Sequence, residues 1–147
     1  MRIDIIKILV VALFTSGLMS CASSVIKNGN FESLTNSNSN KGVIFVYRDK
    51  ALAGSINQYD VLIDGKLAGS LPNGSFFTVD TEHGEKYIKA DTGIFGKGSR
   101  ITVEKSKSYC MKLTLNFCMS CKSADIKPVD KKQCVSEIKS LEKVHLK

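Results

Sequence analysis

Val43-Ile44-Phe45-Val46-Tyr47 is apolar at every position, and after a polar interval Tyr59-Asp60-Val61-Leu62-Ile63-Asp64-Gly65 follows. An unbroken apolar run suits a central strand covered on both faces, whereas Tyr59, Val61 and Ile63 alternating with Asp60, Leu62 and Asp64 suit a strand covered on one. Asp64-Gly65 supplies the positive φ angles of a tight hairpin turn, and Lys66 to Ser70 reads as the returning strand. Further along, Pro72-Asn73-Gly74 and His83-Gly84 read as turns around strands at Ser75 to Asp80 and Lys86 to Ala90. Gly93, Gly96 and Gly98 mark a loop, and Ser99 to Glu104 and Ser108 to Phe117 complete the set. The result is about seven strands at the spacing of a small sandwich or barrel. In the last strand Tyr109, Met111, Leu113, Leu115 and Phe117 share the face expected to pack on the core, with Cys110, Lys112, Thr114 and Asn116 opposite. Val135, Ile138, Leu141 and Val144 recur near helical spacing, which predicts a short amphipathic C-terminal helix.

The chain has 147 residues, with 21 Lys plus Arg against 14 Asp plus Glu and a formal net charge of +7. That length builds one compact domain and excludes a large multidomain enzyme. At 43% hydrophobic and 24% charged residues, the composition excludes a disordered tail, a collagen and a polytopic membrane protein. Trp is absent and His83 and His145 are the two histidines, so the residues that metal sites and acid–base catalysis use most are scarce.

The first twenty residues read as an export signal. Arg2 and Lys7 make a positive start, Ile8 to Phe14 is apolar throughout, and Thr15-Ser16-Gly17 is a small, polar stretch. The apolar run is far short of the roughly 20 residues a membrane-spanning helix needs. Leu18-Met19-Ser20-Cys21 resembles the bacterial lipobox, which implies cleavage before Cys21 and acylation of its thiol. Ala22 at the next position points to the outer membrane, by analogy with sorting in enteric bacteria. Residues 21–41, rich in Ser and Asn, read as the lipidated Cys and a flexible linker, and residues 42–147 as the folded domain.

Gly42 to Arg48 (GVIFVYR), Gly54, Tyr59 to Gly65, Gly69-Ser70-Leu71 and Asn73-Gly74-Ser75-Phe76-Phe77 together resemble the bacterial lipoprotein-associated domain of unknown function 2846, over roughly Lys41 to Phe117. The resemblance implies an all-β fold, a small β-sandwich of the transthyretin and carboxypeptidase-regulatory type, and supplies no catalytic residues. The sequence departs from the family pattern at Thr81-Glu82-His83-Gly84, which lacks a Pro-Gly turn, and in its Cys-rich tail.

With Cys21 set aside, Cys110, Cys118, Cys121 and Cys134 remain, an even number that favours disulfides in an exported domain. A strand extended from Cys110 to Cys118 separates them by roughly 27 Å, at about 3.4 Å per residue. Three more residues to Cys121 return only about 10 Å, while a bridge needs Cα atoms within about 7 Å. Pairing of Cys110 with Cys134 and of Cys118 with Cys121 follows, unless the strand breaks earlier. Two other readings compete: a redox pair at Cys118-Met119-Ser120-Cys121, and a zinc site of Cys118, Cys121, Cys134 and His145. No nucleophile-elbow motif accompanies the histidines. Asp60, Asp64 and Asp80 form a candidate carboxylate set only if the fold gathers them, and Gly93 to Gly98 lacks the spacing of a phosphate-binding loop.

Removing residues 1–20 takes away Arg2, Lys7 and Asp4, leaving 19 basic and 13 acidic residues and a net charge of +6. Anionic lipid, lipopolysaccharide or peptidoglycan fits that sign, and nucleic acid is not expected outside the cytoplasm. The sequence thus predicts an outer-membrane lipoprotein held by acylated Cys21, its domain facing the periplasm. The domain is expected to act as a non-catalytic binding or structural module without cofactor, alone or with an envelope protein.

Overall fold

The computed structural model describes residues 40–92, 96–116 and 123–146. The elements in chain order are β1 (Gly42–Arg48), β2 (Tyr59–Ile63), β3 (Lys66–Leu71), β4 (Ser75–Thr81), β5 (Gly84–Ala90), β6 (Ser99–Val103), β7 (Ser108–Leu115), β8 (Ala124–Val129), α1 (Lys131–Ile138) and β9 (Glu142–Lys143). They form an all-β sandwich: a five-stranded sheet in the order β8-β7-β1-β4-β9 packs on a four-stranded sheet in the order β3-β2-β5-β6.

β1 is buried at all seven positions. Its even-numbered Ile44 and Val46 join Val61, Phe77, Ile88, Met111, Leu113 and Ile126 in the core between the sheets. Its odd-numbered Val43, Phe45 and Tyr47 pack on the outer side with Phe76, Cys110, Cys134, Ile138 and Leu141, beneath α1. The continuous apolar run therefore reflects two cores sharing one strand. β1 pairs antiparallel with β4, from Gly42↔Thr81 to Arg48↔Ser75, and parallel with β7, from Val43↔Ser108 to Arg48↔Leu113.

The β2–β3 hairpin turns on Asp64 and Gly65, at φ 51° and 80°, as the Asp-Gly pair predicts. One side of the sandwich is laced by the segment leading into β6. Ile126 N donates to Lys97 O at 2.9 Å, Lys97 N to Asp125 Oδ1 at 2.7 Å, and Ser99 Oγ to Ile126 O at 2.7 Å. The described part of the Gly-rich stretch is thus hydrogen-bonded to β8. At the other side β9 pairs with β4, and Val144 N donates to Phe76 O at 2.8 Å.

The described residues form nine strands where about seven were expected. β8 was hidden by Pro128, which disfavours a central strand but is accommodated on this edge strand opposite Met111. β9, at two residues, is too short for alternation to reveal. β7 stops at Leu115 and β6 at Val103, and Phe117 lies outside the described residues. The helix begins earlier than the apolar spacing suggests, because the Asp130 carboxylate caps it by accepting from Gln133 N at 2.9 Å. Val144 is not helical. It follows β9 and packs on the core between the sheets, so residues from separate elements imitated a single helical stripe.

Phe77 is wholly buried. Phe77→Ala is expected to lower the unfolding free energy by about 3–5 kcal/mol, as large-to-small core changes do. Thr102→Ala, at an exposed position, should stay within about 0.5 kcal/mol of the parent. Urea unfolding monitored by circular dichroism checks both.

Candidate functional site

The parallel β1–β7 ladder brings the chain leaving Arg48 beside the end of β7. Arg48 is only 1% exposed, and its guanidinium is taken up by backbone carbonyls. Its Nη1 donates to Asn57 O at 2.6 Å and its Nη2 to Gly54 O at 2.8 Å, and its guanidinium lies 5.0 Å from the centroid of the Tyr59 ring. Nε is buried without a hydrogen-bond partner among the described residues. Desolvation lowers the Arg48 pKa against the opposing influence of Tyr59. The buried guanidinium organises the backbone of the β1–β2 loop, residues 49–58.

Other contacts fix the same loop. Asn73 accepts from Ala51 N at 3.0 Å through Oδ1 and donates to Ala51 O at 2.9 Å through Nδ2. Asn57 N donates to Gly54 O at 2.9 Å. Gly54 sits at φ 69°, a backbone conformation that favours glycine, and it lies close to the movable end of the Leu115 side chain, 2.8 Å from where a Cβ would stand. Leu52 and Ile56 project from this frame at 97% and 96% exposure. A cavity of about 280 Å³ lies between the loop and β7, lined in part by Arg48, Ala51, Lys112 and Leu115.

Beside the loop, a polar cluster ties α1 to the sheet. Lys112 Nζ lies 2.6 Å from Asp49 Oδ2 and 2.8 Å from Glu137 Oε2. Tyr47 OH donates to Glu137 Oε2 at 2.5 Å, and Gln133 Nε2 to Glu137 Oε1 at 3.0 Å. Desolvation opposes ionisation of Glu137, but the hydrogen bonds from Lys112, Tyr47 and Gln133 outweigh it and hold the pKa at about 2. Burial first, and then the bond to Glu137, raise the Tyr47 pKa. Desolvation works against the Lys112 charge, yet bonds to Asp49 and Glu137 leave its pKa raised. The carboxylate accepts from three donors and the phenol is held protonated, so the cluster clamps α1 to the sheet.

One turn before Glu137 on the helix, Cys134 is bonded to Cys110, with Cα atoms 6.1 Å apart. This removes Cys134 from the candidate zinc set. Cys21, Cys118 and Cys121 lie outside the described residues, and no group of three or more His, Cys, Asp or Glu suited to a metal occurs among the described ones. His83 is exposed between β4 and β5. His145 lines a cavity of about 430 Å³ with Ser70, whose hydroxyl is given to the Asp60 carboxylate and not to an imidazole. Asp64 accepts from Tyr87 N at 2.9 Å and pairs with Lys86 at 3.2 Å, while Asp80 belongs to the other sheet, so the fold does not gather the three aspartates. Sequence reasoning passed over Arg48, Glu137 and the exposed pair. An arginine closing an apolar strand was the available signal for the first.

Cys110→Ser with Cys134→Ser is expected to cost about 2–4 kcal/mol of stability through the freed unfolded chain, measured by urea unfolding without reductant. Glu137, lowered from 4.5 to about 2, contributes stability that is complete above pH 4.5 and is lost as pH falls through 2. The parent should therefore weaken across that window. Glu137→Gln should be weaker at neutral pH and lose less on acidification, as unfolding midpoints over a pH series will report.

A family match covers residues 38–124, more than half of the chain. It takes in β1 to β7 and ends on Ala124, the first residue of β8, so α1, β9 and Cys134 lie beyond it. No curated protein and no solved structure matches the chain. Seven of the strands described above thus coincide with a recognised unit, and the chain belongs to the family described as Protein of unknown function (DUF2846).

Proposed function

We propose that the protein is a lipid-anchored module of the bacterial cell envelope, held in the outer membrane through acylated Cys21 with its sandwich facing the periplasm. The Cys110–Cys134 disulfide carries this reading, because a bridge fastening the helix to the sheet is what an oxidising compartment permits and the cytoplasm opposes. It agrees with the leader read from Arg2 to Cys21. On this reading residues 22–41 are a tether, and two or more acyl chains make the attachment stable where one would be marginal.

The sandwich acts as a binding or structural module and not as an enzyme. Two features support this: the most strongly perturbed ionisable groups, Tyr47 and Glu137, satisfy one another, and the conspicuous buried cation, Arg48, is committed to backbone carbonyls. Its partners are membrane lipid and, through its basic character, an envelope protein, peptidoglycan or lipopolysaccharide.

The test is the intact mass of membrane-extracted protein denatured in an alkylating reagent without reductant. A mass of residues 21–147 plus acyl groups, with Cys110 and Cys134 unalkylated, is expected. Unacylated protein would overturn the anchor, and alkylation of both cysteines would remove the observation behind it. Cys21→Ser should move the protein out of the lipoprotein-bearing membrane fraction.

A further inference from the structure

Leu52 and Ile56 stand four positions apart in the β1–β2 loop, each almost wholly in water. Scattered surface aliphatics are ordinary, but these two are displayed by a frame that is itself costly. A fully buried arginine holds Gly54 O and Asn57 O, Asn73 clamps Ala51 on both its backbone groups, and Gly54 packs against Leu115 at a positive φ. Little ordering remains to be done when an apolar medium receives the pair.

We infer that this loop is a second, non-covalent membrane contact, in which Leu52 and Ile56 enter the interfacial layer of the bilayer that holds acylated Cys21. The inference rests on the anchor reading. Charge and reach select lipid as the occupant. Residues 50–59 contain no acidic side chain, Lys50 is exposed, and the adjoining Asp49 is paired with Lys112, so an anionic headgroup layer meets no opposing charge from this stretch. The tether enters the sandwich at Gly42, and the loop leaves at Arg48, the opposite end of β1. Residues 22–41 span on the order of 25 Å as a coil and up to roughly 65 Å extended. A strand of this length covers about 20 Å. The loop therefore reaches the surface in which Cys21 is seated.

The chain contains no tryptophan, so Leu52→Trp, Ile56→Trp and, as control, Leu67→Trp on β3 each introduce a unique reporter. Leu67 is also exposed, at 64%, but lies on the other sheet. Each variant, extracted from membranes, is reconstituted into phosphatidylethanolamine–phosphatidylglycerol vesicles with and without brominated acyl chains, and its intact mass is taken from the same sample. Blue-shifted emission and bromolipid quenching at positions 52 and 56, with neither at 67, are expected. Acylated protein whose reporters at 52 and 56 stay unquenched overturns the loop contact and leaves the anchor standing. Equal quenching at all three positions overturns the assignment to the loop. A concentration-dependent blue shift at 52 and 56 without vesicles assigns the pair to a second copy of the chain and also overturns it. Should the mass show no acyl group, the anchor reading fails by itself. The same reporters are then read after the protein is added to the vesicles, where quenching at 52 and 56 upholds insertion and its absence overturns it.

Discussion

The structure depends on the burial of β1 from both sides. A strand whose odd and even positions are all apolar cannot lie on a one-sided sheet without exposing Val43, Phe45 and Tyr47. The four-stranded sheet covers one face, and the other requires α1. The helix has only eight residues, too few to be stable alone, and it is fastened where it crosses the sheet by the disulfide at Cys134 and by the Glu137 cluster one turn later. The need to cover β1 thus accounts for a helix beyond the family match, and for the covalent bond and half-buried ion pair that fasten it to residues within the match.

The same division separates what the residues reveal from what they conceal. β1 to β5 were legible because alternation and turn chemistry agree there: Asp64-Gly65 demands a hairpin, and Asn73-Gly74 closes the next turn. Beyond Leu115 the signals conflict. Pro128 argues against a strand that an edge position tolerates, and the apolar stripe from Val135 to Val144 is divided among a helix, the bend after it and the segment following β9. The Cys110–Cys134 pairing was reached from a strand assumed to run as far as Cys118; the bridge is present although β7 stops at Leu115, and Cys118 and Cys121 lie outside the described residues. Arg48 was not accessible: a cation at a strand end normally points to water, and only the tertiary fold shows it turned inward onto two carbonyls.

Burying an arginine without a carboxylate is expensive in general. Here the guanidinium replaces lost water with Asn57 O, Gly54 O and the face of Tyr59, while Nε has no partner among the described residues. Its return is positional. It joins the last residue of the central strand to the loop that Asn73 also holds, so the loop is tied to the core while presenting its aliphatic tips outward.

The parallel pairing of β1 with β7 bears on the order in which the molecule can assemble. β1 is the first of the described strands in chain order, yet its neighbours β4 and β7 come later, and its covering helix follows all of them. Such high contact order slows folding, because long loops must close before the central ladder forms. β1 can meet β4 once residue 81 is available, but its other edge waits for β7 and its outer face for α1. The two cores that share β1 thus close only when the last elements of the fold are in place.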